Sequence, residues 1–377
     1  MIYQDFHDLK LSALGLGCMR FPTVDGKDEN IDEEKAAQLV AHAMEHGVNY
    51  YDTAWGYHGG NSEIVMGKIL SKYPRNSFYL ASKFPGFAPE NMAKKEEIFQ
   101  RQLEKCQTDY FDFYLFHNVA EKNIDYFMSP EYNLHSYLLE QKRLGRIRHL
   151  GFSTHGSLTI IKRFLDAYKD DLDFCQIQLN WLDWDLQNAR AKVDLIRSYG
   201  IPIWVMEPVR GGRLATLAPE HMAQLDALRP GVTAPEWAFR FLQSIDGVGV
   251  VLSGMSNEQQ VFENIKTFGE QKPLTETEWN ALQYIAREII AANAVPCTAC
   301  RYCVDGCPAG INIPGLFSDM NVKKVWNDPM AADRYKHHTE KGGKPSNCIG
   351  CGNCESVCPQ HLPIRDLLKT VEAEFEK

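Results

Sequence analysis

From residue 11 to about residue 265, short apolar, β-branched or aromatic runs alternate with longer amphipathic stretches. The runs Leu14–Cys18, Val48–Asp52, Phe78–Lys83, Phe111–His117, Ile147–Gly151, Phe174–Leu179, Ile201–Val205 and Val248–Leu252 predict strands. The stretches between them predict helices over Glu33–His46, Ser62–Leu70, Lys94–Cys106, Glu131–Leu144, Leu158–Ala167, Asn188–Ser198, Ala234–Gln243 and Glu258–Phe268. Strands that are apolar almost throughout belong to parallel sheets covered by helices. Successive strand–helix units of this number predict an α/β chain closed into a (β/α)8 TIM barrel. An open doubly wound sheet is the alternative, but no Gly-x-Gly-x-x-Gly turn follows the first strand. Arg210–Val232 reads as a long irregular loop, a length usually tied to function or mobility. Thr275–Ala292 predicts one more helix and Val295-Pro296 a boundary, so the expected division is residues 1–285 and 286–377.

The chain has 377 residues, 44% of them hydrophobic, which suffices for one large domain plus an appendage. Its net charge of −9 argues against nucleic acid as a partner. Met1–Lys10 is mixed and polar with no apolar segment behind it, and no run approaches the roughly 18 apolar residues of a membrane span. A soluble, cytoplasmic protein with no membrane partner is expected. The 11 cysteines change the picture more. Cys18, Cys106 and Cys175 stand alone and are expected to be small buried hydrophobes. The rest follow Val295 in two groups of four, and without a secretory signal such density reads as metal ligation before disulfides.

The first group is Cys297-x-x-Cys300-x-x-Cys303-x-x-x-Cys307-Pro308, and the second is Cys348-x-x-Cys351-x-x-Cys354-x-x-x-Cys358-Pro359. This is the run of bacterial ferredoxins, whose fourth cysteine ligates the other cluster. Three thiolates spaced by two residues can reach three corners of one cubane, while the next points away to its neighbour. The expected ligand sets are Cys297, Cys300, Cys303 and Cys358 for one 4Fe–4S cluster, and Cys348, Cys351, Cys354 and Cys307 for the other. Two zinc sites or inert cysteines are the alternatives, but paired Cys-x-x-Cys zinc knuckles leave the third and fourth cysteine of each run without a role. Ser318–Val325 and Pro329–His338 look helical, so the segment from Pro296 onward resembles the small helical two-cluster ferredoxin domains attached to larger oxidoreductases.

Polar residues at the C-terminal ends of barrel strands are where chemistry is expected. Asp52, Lys83 and His117 end three of the predicted strands, and Tyr57 follows Asp52 at the same mouth. A buried Lys–Asp pair beside a tyrosine is expected to lower the phenol from about 10 and make it a proton donor. A neutral histidine alongside can orient a carbonyl oxygen. Singly, each residue also has a plain structural role: Asp52 as a cap, Lys83 reaching solvent, His117 as a core histidine.

Asp52-Thr-Ala-Trp-Gly-Tyr57, followed by Ser62-Glu63 and Gly67, resembles the signature of the aldo-keto reductases after their second strand. Ser82-Lys83 and Phe116-His117 match the family's next catalytic positions, and Gly151-Phe152-Ser153 with Gln178-x-Asn180 resemble its later cofactor motifs. The resemblance runs from about Leu11 to Phe268. It implies Tyr57 as acid/base, Lys83 and Asp52 as its tuning pair, and His117 as carbonyl orienter. It also implies a nicotinamide dinucleotide across the mouth, with Ser153, Gln178 and Asn180 near the carboxamide. Met206 stands where the family usually stacks an aromatic residue under the nicotinamide. The motif that usually holds a basic residue for the 2′-phosphate reads Ser253-Gly254-Met255-Ser256-Asn257, while Gln260, Glu263 and Asn264 resemble its adenine contacts. Arg210 and Arg213, in Arg-Gly-Gly-Arg, could meet the pyrophosphate or simply be solvated loop arginines. Trp181 and Trp184 could line a substrate pocket, pack against the cysteine segment, or belong to the core.

The expected function is an oxidoreductase enzyme interconverting a small carbonyl and its alcohol, with NADP(H) or NAD(H) and two 4Fe–4S clusters; a flavin stays open. A redox protein is a further expected partner. The alternatives are a ferredoxin-linked one-electron reductase using the barrel mouth, and a non-catalytic redox-sensing or partner-binding module.

Overall fold

The computed structural model describes residues 1–86, 88–121, 123–293, 295–297, 301–326, 331–340, 342–358 and 360–376. The chain forms two compact units, Met1–Trp279 and Asn280–Lys377. The first opens with an antiparallel hairpin, β1 (Tyr3–Phe6) and β2 (Leu9–Ser12), which the polar look of Met1–Lys10 concealed. Eight parallel strands follow: β3 (Leu14–Gly17), β4 (Tyr50–Asp52), β5 (Tyr79–Phe84), β6 (Phe111–Val119), β7 (Ile147–Thr154), β8 (Phe174–Gln178), β9 (Ile203–Met206) and β10 (Val248–Ser253). Each pairs with the next, and β10 pairs back with β3, closing the (β/α)8 barrel.

The barrel is filled by Tyr50, Phe113, Leu115, Phe174, Trp204 and Val250. Phe6 from the hairpin adds its ring to this core, 5.6 Å from Phe113 and 5.0 Å from Trp204. Those two residues lie early in their strands, so the hairpin plugs the N-terminal end and leaves chemistry to the other.

Helices form over Ser62–Leu70 and Ala234–Gln243 as expected, and the other barrel helices differ from expectation only at their ends. Arg210–Val232 is a correction: it contains a helix at Pro219–Leu228. Leu225 is that helix's one buried residue among ten, so no apolar stripe betrays it in the sequence. The helices Ser62–Leu70 and Lys95–Cys106 approach closely because Gly67 lacks a side chain; a Cβ there would lie 2.2 Å from the Lys105 carbonyl oxygen. Gly67→Ala is therefore expected to cost about 1–3 kcal/mol in chemical denaturation, since backbone must move to admit the methyl. An unchanged midpoint would mean the two helices separate freely.

The second unit carries helices Ile313–Trp326, Ala331–Glu340 and Ile364–Phe375 around a core of Ile311, Ile313, Phe317, Met320, Ile364 and Leu368. Expected residues Pro329 and Met330 lie outside the described residues. Among the described residues, no helix is long and apolar enough to cross a membrane.

Candidate active site and cysteine centre

Asp52 ends β4, Lys83 lies one residue from the end of β5, and His117 two from the end of β6. The strand register therefore gathers them at the barrel's C-terminal mouth. The Lys83 ammonium is completely buried and has three protons to place. It donates to Asp52 Oδ1 at 2.5 Å, to the Thr53 carbonyl at 2.8 Å and to the Tyr57 hydroxyl at 3.3 Å. Tyr57 sits at the start of a short turn, Tyr57–Gly60, and meets the His117 ring edge-on with centroids 6.0 Å apart.

A second layer fixes this arrangement. Buried Glu63 accepts from Ser82 Oγ at 2.7 Å and from Gln102 Nε2 at 2.6 Å, and Gln102 Nε2 also reaches the Lys83 carbonyl at 3.1 Å. Ser62 Oγ donates to the Cys18 carbonyl at 2.8 Å and pairs with Thr53 Oγ1 at 2.8 Å. The Ser62-Glu63 motif thus acts by holding the strands that carry Asp52 and Lys83. On β6 the ladder breaks between Phe116 and Val119, with Asn118 at a φ of 56°. The Asn118 N–H is satisfied by Ser153 Oγ at 2.8 Å instead, and the break directs His117 and Asn118 to the mouth.

Burial pushes the Tyr57 phenol above its ordinary value of 10; the Lys83 charge opposes that rise, and Asp52 adds to it. This corrects the expectation that the Lys83–Asp52 pair brings the phenol below 10, because desolvation outweighs the ammonium. Burial works to lower Lys83, yet Asp52 and Tyr57 together hold it above its ordinary value, so it stays charged. Burial, then the Lys83 charge and His155, hold His117 well below the usual histidine value. A neutral imidazole at neutral pH results.

Asp52, Tyr57 and His117 line a cleft of about 690 Å³. Of the residues expected to bind the dinucleotide, Ser153, Met206, Ser253, Gly254, Ser256, Gln260, Glu263 and Asn264 line it. Gln178, Asn180 and Arg210 do not, and one buried carboxylate accepts from all three. Buried Asp183 takes Gln178 Nε2 and Asn180 Nδ2, each at 2.7 Å, and Arg210 Nε at 3.1 Å. Gln176, two residues earlier on the same strand face, lines the cleft in place of Gln178. Arg20 also lines it, and neither residue was singled out by the sequence. Trp184 packs 5.6 Å from Phe241 and 5.5 Å from Trp279, and neither it nor fully buried Trp181 lines the cleft.

Three buried oxygens of cleft residues, Asp52 Oδ2, Asn118 Oδ1 and Gln176 Oε1, have no hydrogen-bond partner among the described residues. A ligand bearing amide and hydroxyl donors, as a nicotinamide riboside does, satisfies such acceptors. The residues present therefore fit that group.

In the second unit the duplicated cysteine pattern becomes a duplicated backbone. Cys303 and Cys354 sit on single helical turns, Tyr302–Asp305 and Asn353–Ser356, each entered through a left-handed residue, Arg301 or Gly352. Cys307 and Cys358 then close matching turns onto Val304 and Glu355, and Gly310 and His361 onto Cys307 and Cys358. Cys297, Cys303 and Cys358 line one cavity together with apolar Ile313, Phe317, Leu362 and Ile364. Cys300 lies outside the described residues. Cys307, Cys348 and Cys354 belong to the same small core, while Cys351 is exposed. A cavity joining the fourth cysteine of one run to the first and third of the other fits a soft iron–sulfur cluster. Cys18, Cys106 and Cys175 are buried in the barrel unit, where desolvation raises their thiols.

Residues 13–287 match the model of the aldo/keto reductase family, and residues 296–362 match a 4Fe-4S dicluster domain. The chain is similar to the uncharacterized oxidoreductase YqkF of Bacillus subtilis, at 26% identity over 73% of this chain and 93% of that protein. It is also similar to the NADH-specific methylglyoxal reductase of Escherichia coli, at 26% identity over 55% of this chain and 66% of that protein. Among solved structures, the holo form of aldo-keto reductase AKR11C1 from Bacillus halodurans matches with a TM-score of 0.61 and 27% identity, covering 76% of this chain and 96% of that one.

Proposed function

From the premise that this chain belongs to the aldo/keto reductase family and carries a 4Fe-4S dicluster domain, we propose that it interconverts a small carbonyl compound and its alcohol. The observation that carries the reading is the Lys83 ammonium, saturated by Asp52, Thr53 and Tyr57 and aimed at the phenol oxygen of Tyr57, which lines the cleft. Ser153, Gln176 and Met206 would hold a nicotinamide, which would supply or accept the hydride at the carbonyl carbon. The protein's own part is the proton and the orientation. The neutral His117 ring donates a hydrogen bond to the carbonyl oxygen and fixes its direction. Tyr57 gives that oxygen its proton, and Lys83 at 3.3 Å stabilises the phenolate left behind. Asp52 keeps Lys83 charged and in place. Cys297, Cys300, Cys303 and Cys358 would hold one cluster, and Cys348, Cys351, Cys354 and Cys307 the other, each suited to single-electron transfer. Methylglyoxal, the substrate named for the Escherichia coli relative, is the first compound to assay.

The pH profile tests the assignment of roles. Reduction needs the protonated phenol, whose value is raised, so kcat for reduction is expected to stay flat through neutral pH and fall only above 10. Oxidation needs the phenolate and should rise steadily with pH over the same range. With His117 held neutral, no inflection is expected near its ordinary value of 6.5. A reduction rate that falls between pH 6 and 8 contradicts Tyr57 as the acid or His117 as the neutral orienter.

A further inference from the structure

The Arg-Gly-Gly-Arg motif offered an arginine for the phosphates of a dinucleotide, but the structure commits Arg210 to Asp183. Arg20 stands in a different position. It follows β3, is exposed, and lines the same cleft as the catalytic residues. Its stem lies along the loop after β10: a Cβ on Gly254 would come within 2.7 Å of Arg20 Cγ. Its guanidinium ends at the loop after β9, where a Cβ on Gly211 would come within 3.3 Å of Nη2. The side chain therefore reaches from one loop to the other across the cleft. The Arg20 carbonyl accepts from Ser256 Oγ at 2.6 Å, which anchors its backbone to the β10 loop. Among the described residues the guanidinium has no carboxylate partner within ion-pair distance.

We propose that Arg20 binds the pyrophosphate of the dinucleotide, closing over it from the β10 loop to the β9 loop. This rests on the nicotinamide reading above and names a residue that reading does not require. Arginine presents a planar fork of N–H donors that matches phosphate oxygens two at a time, which a lysine cannot do. Gly211 and Gly212 both lie at positive φ, 65° and 94°, and carry no side chain, so a phosphate can approach the backbone beneath the guanidinium. The helix Glu258–Thr267 begins just after Ser256, and the positive end of its dipole adds to the field. Glu263 also lines the cleft and works against an anion, which makes the Arg20 charge the more necessary. Position decides which phosphate is bound. Ser153, Gln176 and Met206 line the cleft from β7–β9, and Gln260 and Asn264 line it from the helix after β10. A side chain strung between those two sets meets the middle of a dinucleotide, where its pyrophosphate lies.

The test is anaerobic calorimetric titration of the intact, cluster-loaded protein with NAD+ and with NADP+. Arg20→Ala is expected to weaken both by the same factor, about ten- to hundredfold, and Arg20→Lys to recover part of the loss. Arg20 is exposed, so its truncation leaves the fold intact, which thermal melting checks. Unchanged affinity for both dinucleotides in Arg20→Ala overturns the proposal while leaving the nicotinamide reading standing. A loss confined to NADP+ overturns it too, by moving Arg20 to the 2′-phosphate. Failure of the unmodified protein to bind either dinucleotide overturns the nicotinamide reading itself, and this proposal with it.

Discussion

Replacing Tyr57 with phenylalanine is expected to lower kcat for carbonyl reduction by about a hundredfold to ten-thousandfold, the range for removing a positioned general acid. Phenylalanine keeps the ring that meets His117 edge-on and removes only the hydroxyl that Lys83 addresses. KM for the carbonyl should change little, because the hydroxyl acts on the developing oxyanion more than on the bound ketone or aldehyde. Lys83 keeps its bonds to Asp52 and Thr53, so stability should hold. Iron–sulfur absorbance should be unchanged, since Tyr57 lies in the barrel unit and the cysteine groups in the other. Turnover within tenfold of the unmodified protein would assign the proton to another group.

Cys303→Ser is expected to halve the iron content of anaerobically purified protein, from about eight irons per chain to about four, with acid-labile sulfide falling in parallel. Cys303 lines the cavity with Cys297 and Cys358, and a serine oxygen is a poor ligand for a soft cluster. Cys354→Ser should remove the other half, because Cys354 occupies the equivalent turn of the second repeat. The remaining cluster in each variant gives the comparison its meaning: the two losses should be separable by spectroscopy. Zinc in place of iron and sulfide in the unmodified protein would contradict the cluster assignment outright.

The barrel was legible because its strands are buried on both faces and therefore read as apolar runs, such as Phe111–Leu115. Asp52, Lys83 and His117 were legible because each ends such a run. The hairpin was not, since Tyr3–Phe6 has one buried residue, and the packing of Phe6 against Trp204 is a contact between distant parts of the chain. Strand periodicity placed Gln176 and Gln178 on one face but could not say which faces a ligand. Asp183 accepts from Gln178, while Gln176 lines the cleft. The same carboxylate claims Arg210, 27 residues away, and no local pattern announces such a pairing. Arg20 carries no local signal, because its surroundings come from two loops that β9 and β10 bring beside it. The direction of the Tyr57 shift is hidden from the sequence for a related reason: a nearby lysine is visible in a motif, whereas the burial that outweighs it is a property of the packed mouth.

In the proposed reduction a bound dinucleotide would supply the hydride to carbon, and Tyr57 the proton to oxygen. The direct measurement is anaerobic reduction of methylglyoxal or another good carbonyl substrate with dinucleotide deuterated on the transferable face of nicotinamide C4, in ordinary water. Mass spectrometry or NMR of the alcohol then locates the label. One deuterium on the carbinol carbon for each dinucleotide consumed is the expected result. Product carrying only solvent hydrogen at that carbon, formed equally well when a chemical reductant replaces the dinucleotide, would show that electrons arrive singly through the clusters and would contradict the account.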